Sequence, residues 1–109
     1  MANDLGALQA QIVNTLPASA ATTARFAGII GDRPSQYAKS PSLWNAIFKA
    51  LNLDAVYVAF DVDELKVGDL VKAMRGNERL LGGNVTVPYK VKVMEYLDDL
   101  DPKARQIGA

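Results

Sequence analysis

Residues 26–31, Phe-Ala-Gly-Ile-Ile-Gly, contain no polar side chain that a strand could turn towards water. A strand made of them has to be covered on both faces, as strands are in parallel sheets flanked by helices. A half-wet antiparallel strand, which alternates polar and apolar residues, is excluded for this segment. The run ends at Gly31-Asp32, a natural release into a loop. Two further segments read as strands: Ala55-Val-Tyr-Val-Ala-Phe60, and Leu80-Leu-Gly-Gly-Asn-Val-Thr-Val-Pro88.

Helical patterns fill the gaps between them. Ser40 can cap a helix, and Pro41 suits its first position because proline has no N–H to leave unpaired. Trp44, Ile47, Phe48 and Leu51 then form one apolar stripe, and Asn52 and Asp54 punctuate its end. A second helix is expected over residues 62–74, on Leu65, Val67, Leu70, Val71 and Met74, with Gly76 as its stop. Pro88 should open a third, running through Leu97 to Leu100, and Asp101-Pro102 a last turn that ends at Gly108-Ala109. The alternation predicts an α/β fold: a three-layer α/β/α domain around a mostly parallel sheet with right-handed crossovers. Ligands of such sheets bind beyond the carboxyl ends of the strands. Ahead of the first strand, Leu5, Leu8, Ile12 and Leu16 recur at helical spacing over residues 4–16, until Pro17 and the small residues to Thr23 end the pattern. Residues 1–24 read as an N-terminal helical extension and 25–109 as the domain.

Composition removes several kinds of chemistry. Twelve basic and twelve acidic residues give a net charge of +0, so nothing draws in nucleic acid or an anionic membrane. With Cys 0 and His 0 there is no disulfide, no thiolate metal site and no histidine proton shuttle. Acid–base chemistry falls to Lys, Asp, Glu or Tyr. No apolar run approaches the roughly 20 residues that span a bilayer, and the N-terminus has an acid where a signal peptide needs bases, so a cytoplasmic protein is expected. The eight glycines include no G-x-G-x-x-G.

The polar residues that stand out lie in Asn84-Val-Thr-Val-Pro-Tyr-Lys90. Period-two alternation puts Asn84 and Thr86 on one face and Val85 and Val87 on the other. Lys90, in the first turn of the expected helix, aligns with Met94 and Leu97 on the inward side, while Lys92, Glu95 and Asp99 face solvent. Repulsion by the helix dipole and partial burial would both lower the pKa of such a lysine, which suits proton transfer. Position alone is also met by a lysine that snorkels into water, by a Ser40 that only caps its helix, and by Asn84 and Thr86 as turn and strand residues. Trp44 reads as core.

Taken together, Asn84-Val-Thr-Val-Pro-Tyr-Lys90, Ser40-Pro41 followed by Asn45 and Phe48, and Leu53-Asp-Ala-Val-Tyr-Val-Ala-Phe60 resemble the N-terminal substrate-binding domain of shikimate dehydrogenases, over about residues 26–109. The resemblance implies an amino-acid-dehydrogenase-like N-terminal domain. Lys90 would be the catalytic lysine that handles the proton of the reacting hydroxyl, Asn84 and Thr86 would contact or organise the substrate, and Ser40 would bind its carboxylate. It further implies reversible reduction of 3-dehydroshikimate to shikimate in aromatic amino acid biosynthesis, with NADP bound by a separate Rossmann domain.

The family's His-Ser-x-Ser-Pro is here Tyr37-Ala-Lys-Ser-Pro41, so Ala38 replaces the first carboxylate-binding serine. A hydrogen bond to an anion contributes about 1.5–3 kcal/mol, so this swap is expected to weaken shikimate binding ten-fold or more unless Tyr37 or Lys39 compensates. Trp44 stands where the family often has His, which keeps quinate or another cyclic hydroxy acid open as substrate. The family continues beyond Gly108 into its NADP-binding domain. Without that partner no nicotinamide reaches the roughly 3–3.5 Å approach that reaction needs, and this polypeptide alone is expected to be inactive. The alternative is a stand-alone binding or interaction module for shikimate or quinate.

Overall fold

The computed structural model describes residues 5–108, so Asp4, where the first helix was expected to begin, and Ala109 lie outside the described residues. Three parallel strands, β1 (Arg25–Gly31), β2 (Ala55–Asp61) and β3 (Leu80–Val85), form a sheet in the order β2-β1-β3. The helices are α1 (Gly6–Gln9), α2 (Ser19–Thr22), α3 (Pro34–Tyr37), α4 (Ser40–Ala50), α5 (Val67–Arg75) and α6 (Pro102–Ile107). This is the parallel α/β arrangement expected from the buried strand runs.

Period two divides the strands between two apolar faces, which is why β1 and β2 read as continuous hydrophobic runs. Phe26 and Ile30 of β1, with Val58 and Phe60 of β2, pack beneath Val67 and Leu70 on one side of the sheet. Ala27 and Ile29, with Tyr57 and Ala59, pack beneath Phe48 of α4 on the other. Asn45 fastens α4 to β2: its Oδ1 accepts the Tyr57 N–H at 2.7 Å and its Nδ2 donates to the Tyr57 carbonyl at 2.9 Å. Where β3 meets β1 the register slips, Phe26 facing Leu80 but Ala27 facing Gly82, so Leu81 bulges out. Gly82 adopts φ 145° there, a conformation that side chains disfavour.

The segment before β1 differs from the single helix expected over residues 4–16. Only Gly6–Gln9 is α-helical. The chain then folds into a loop closed by Gln9, whose Nε2 donates to the Asn14 carbonyl at 2.6 Å and whose Oε1 accepts the Leu16 N–H at 2.9 Å. This loop lies against β2. Asn14 Nδ2 donates to the Ala59 carbonyl, Asn14 Oδ1 accepts the Asp61 N–H, and Val13 N–H donates to the Asp61 carbonyl, each at 2.9 Å. Leu8, Ile12, Leu16 and Ala20 join the main core. The apolar spacing marked the buried residues correctly; pairing with β2 competes with helix propagation and wins. Arg79 ties α2 to the sheet through the Ala20 and Thr23 carbonyls at 2.9 and 2.8 Å, with its guanidinium 5.0 Å from the centre of the Phe26 ring.

Three further expectations are corrected. The helix expected over residues 62–74 begins as a 3-10 turn at Glu64–Lys66, which turns Leu65 outward at 93% exposure. Trp44, read as core, is 40% exposed. No α-helix opens at Pro88; residues Lys92–Tyr96 form a 3-10 segment that ends at Leu97. The last turn forms as expected, with Asp101 Oδ1 accepting the Lys103 N–H at 2.8 Å and Gly108 closing the helix at φ 74°. Among the described residues no helix is long and apolar enough to cross a membrane.

Candidate functional site

The parallel register brings Gly31, Asp61 and Val85 to the same end of the sheet, where the loops after each strand gather. The loop after β1 is pinned there by Asp61, a carboxylate only 2% exposed. Asp61 Oδ1 accepts the Ser35 N–H at 2.9 Å, and Oδ2 accepts the Ser35 hydroxyl. Both bonds hold α3, and with it the approach to α4, against the end of β2. The loop opens at Arg33, in a left-handed conformation (φ 77°), whose guanidinium pairs with Asp32 and Asp63 at 3.2 Å each. These pairs are solvent-exposed and contribute little to stability.

Ser40 does not cap α4. It is the first residue of the helix, Pro41 is the second, and no side chain caps the end. It lies instead near the Tyr57 hydroxyl, close enough to draw the pKa of that phenol downward. That hydroxyl in turn donates to Asn84 Oδ1 at 2.8 Å. Tyr57 and Asn84, 27 positions apart in the chain, therefore meet on the α4 side of the sheet, with Ser40 close by. Trp44 stacks on Tyr57, with ring centres 6.2 Å apart and planes 17° from parallel. Trp44, Phe48, Tyr57, Leu81 and Asn84 line a groove of about 380 Å³, within the size range of small-molecule sites. Burial pushes the Tyr57 phenol above its ordinary value of 10.0, with Ser40 as a smaller opposing influence. The phenol thus stays protonated and able to donate at neutral pH.

Thr86 follows β3 directly. Its N–H donates to the Ile30 carbonyl at 2.8 Å, which extends the β1–β3 pairing by one residue. Its methyl lies so close to Gly31 that a Cβ on that glycine would sit 2.4 Å from Thr86 Cγ2. The chain then turns, with the Tyr89 N–H donating to the Thr86 carbonyl at 3.1 Å, and buried Tyr89 anchors the turn by donating its hydroxyl to the Val62 carbonyl at 3.0 Å. Burial, together with Asp32, Asp63 and Glu64, raises the Tyr89 phenol above its ordinary value, opposed by Arg33.

Lys90 is placed differently from expectation. It is exposed, in a turn rather than in the first turn of a helix. No hydrogen bond joins it to Ser40 or Asn84 among the described residues. Lys92, expected to face solvent, is the more covered of the two and lies 3.9 Å from Glu64. The reversal follows from the 3-10 geometry of Lys92–Tyr96, whose three-residue turn changes which positions share a face. The site also contains residues that motif reading passed over: Tyr57, counted only as a strand residue, and Asp61, just past the expected strand end at Phe60. Their only signals were an acid directly after the apolar run and a phenol inside it.

The segments that carry Ser40, Tyr57 and Asn84 lie within a family-level match. A model of the shikimate dehydrogenase substrate binding domain matches residues 29–109. The chain belongs to this family. NADP(+)-dependent shikimate dehydrogenase of Bacillus mycoides is 48% identical over 82 residues, which cover 75% of this chain and 29% of that protein. Its counterpart in Bacillus cereus is 46% identical over the same length. Among solved structures, the shikimate 5-dehydrogenase of Listeria monocytogenes in complex with shikimate and NAD aligns with a TM-score of 0.72 at 35% identity, over 90% of this chain and 32% of that one. A shikimate dehydrogenase in complex with NADP+ aligns with a TM-score of 0.73 at 34% identity, over 91% of this chain and 32% of the other. The chain thus spans about three-tenths of the length of the shikimate dehydrogenases it matches. Its own residues do not fit the dinucleotide: β1 runs into the Asp32-Arg33 loop and a four-residue helix, and the sequence has no G-x-G-x-x-G to cradle a pyrophosphate.

Proposed function

We propose that this chain is the substrate-binding and catalytic half of an NADP-dependent shikimate dehydrogenase, which interconverts shikimate and 3-dehydroshikimate in aromatic amino acid biosynthesis. The observation that carries the reading is the Tyr57–Asn84 hydrogen bond with Ser40 beside it, built on the α4 face of the sheet from segments inside the family match. In this reading Ser40 donates to the substrate carboxylate, Asn84 and Thr86 hold ring hydroxyls, and Lys90 takes the proton of the reacting hydroxyl on oxidation and returns it on reduction. An exposed lysine in a turn can swing onto a bound substrate.

NADP belongs to a Rossmann domain of the same enzyme, and the protein works in the cytoplasm. Residues 25–109 are the substrate-binding unit. Residues 1–24 lead into it and complete its core, since Leu8, Ile12, Leu16 and Ala20 pack there.

The test is an NMR titration of this chain with shikimate, following backbone amides, in parallel with Lys90→Ala. Shifts centred on Ser40, Asn84, Thr86 and Lys90, weakened in the variant, are expected. Absence of any shift at millimolar shikimate refutes the substrate assignment, and a preference for quinate redirects it.

A further inference from the structure

The loop that holds Ser40 also carries a phenol, Tyr37, whose hydroxyl makes no hydrogen bond to protein among the described residues. Tyr37, the last residue of α3, is 51% exposed, and its hydroxyl lies near the end of β1. It lies 3.4 Å from the point where a Cβ of Gly31 would stand, and the methyl of Thr86 lies 2.4 Å from that same point. A free phenolic donor is therefore held beside Thr86, at the carboxyl end of the central strand.

Its neighbour Ala38 offers no side-chain donor, and the Ala38 N–H is already committed to the Pro34 carbonyl at 2.9 Å. Lys39 is exposed, on a long flexible side chain that loses more rotamer freedom when it binds. Tyr37 is the better placed of the two because α3 is anchored by the Asp61–Ser35 bonds, so its ring is presented by a fixed backbone. Less conformational freedom is lost when such a group engages a ligand.

We infer that Tyr37 is a ligand-contacting residue whose hydroxyl donates to the carboxylate of the bound hydroxy acid, supplying the hydrogen bond that Ala38 cannot. This rests on the substrate reading above and deepens it. The carboxylate subsite is then shared between an alcohol, Ser40, and a phenol, Tyr37. A phenol reaches further than a serine, so the acid group is held differently from the way two serines would hold it.

The experiment measures binding of shikimate and of its methyl ester, by NMR titration, to the parent chain, Tyr37→Phe, Ala38→Ser and the double variant. Phenylalanine removes only the hydroxyl from a half-exposed ring, and the amide spectrum verifies that the fold is kept. Tyr37→Phe should weaken shikimate about ten-fold or more and leave the uncharged ester unchanged, and Ala38→Ser should restore shikimate binding in the double variant. Unchanged shikimate binding by Tyr37→Phe overturns the inference while the substrate reading stands. An equal loss for acid and ester also overturns it, because the hydroxyl would then act on the fold rather than on the carboxylate. If the parent chain binds neither compound, the substrate reading fails and the inference fails with it.

Discussion

Replacing Asp61 tests whether one buried carboxylate organises the loop that carries the site. Asp61→Ala deletes the acceptors for the Ser35 N–H, 2.9 Å away, and for the Ser35 hydroxyl, while the backbone bonds of Asp61 to Asn14 and Val13 remain. A hydrogen bond to a charged group contributes about 1.5–3 kcal/mol, which for two would reach about 3–6 kcal/mol. Ser35 is exposed, so its freed groups recover water, and the net loss should be about 2–3 kcal/mol. Asp61→Asn retains one amide oxygen for the Ser35 N–H and loses the charge, so it should cost about 1 kcal/mol. For a domain near this size each kcal/mol moves Tm by roughly 4–8 °C, which places the alanine variant at least roughly 8 °C below the parent. Urea unfolding followed by circular dichroism measures these losses, and an unchanged denaturant slope would show that the unfolded state is unaltered. A double-mutant cycle with Ser35→Ala isolates the contact and should give a coupling of about 1 kcal/mol or more. An Asp61→Ala variant within about 0.5 kcal/mol of the parent, or an additive cycle, would falsify the claim that this carboxylate anchors α3.

Other consequences can be checked separately. Tyr57 and Tyr89 both have phenols raised above 10.0 in the folded chain, so above that pH the unfolded state gives up protons that the native state keeps, and stability should fall. Thermal melts between pH 8 and about 11 should show this decline, and it should flatten in Tyr57→Phe and Tyr89→Phe; an unchanged slope in both would contradict the assignment. Gly31→Ala forces a Cβ to within 2.4 Å of Thr86 Cγ2, so it should displace Thr86, cost about 1–3 kcal/mol and shift the Thr86 amide resonance. Asn45→Ala removes both bonds to the Tyr57 backbone and should destabilise by about 2–3 kcal/mol, with loss of the Trp44–Tyr57 stacking signal in near-ultraviolet circular dichroism. The chain alone should not oxidise shikimate with NADP+, and activity measured by nicotinamide absorbance should arise only when a Rossmann domain of the family is joined to it.

The strands and α4 were legible because each rests on a local pattern: two-sided apolar runs for Phe26–Gly31 and Ala55–Phe60, and a single stripe beginning at Ser40-Pro41. The elements misread are those whose local pattern competes with a tertiary contact. Residues 10–16 have helical spacing, but Asn14 bonds to β2 instead. Residues 88–100 have helical spacing as well, but Tyr89 is drawn under Val62 and the chain tightens into a 3-10 segment. Lys90 and Lys92 exchanged their expected exposures as a result.

The sequence by itself determined a parallel α/β core, the absence of thiol and imidazole chemistry, and the Asn84 to Lys90 segment with its family resemblance, because each depends on residue type and short spacing. The tertiary arrangement brings Tyr57 and Asn84 together beside Ser40, lets Asp61 hold α3, and sets the Tyr37 hydroxyl near Thr86. Those relations join residues far apart in the chain. They follow from the register of three parallel strands, which sets Gly31, Asp61 and Val85 side by side, and no local periodicity encodes that alignment.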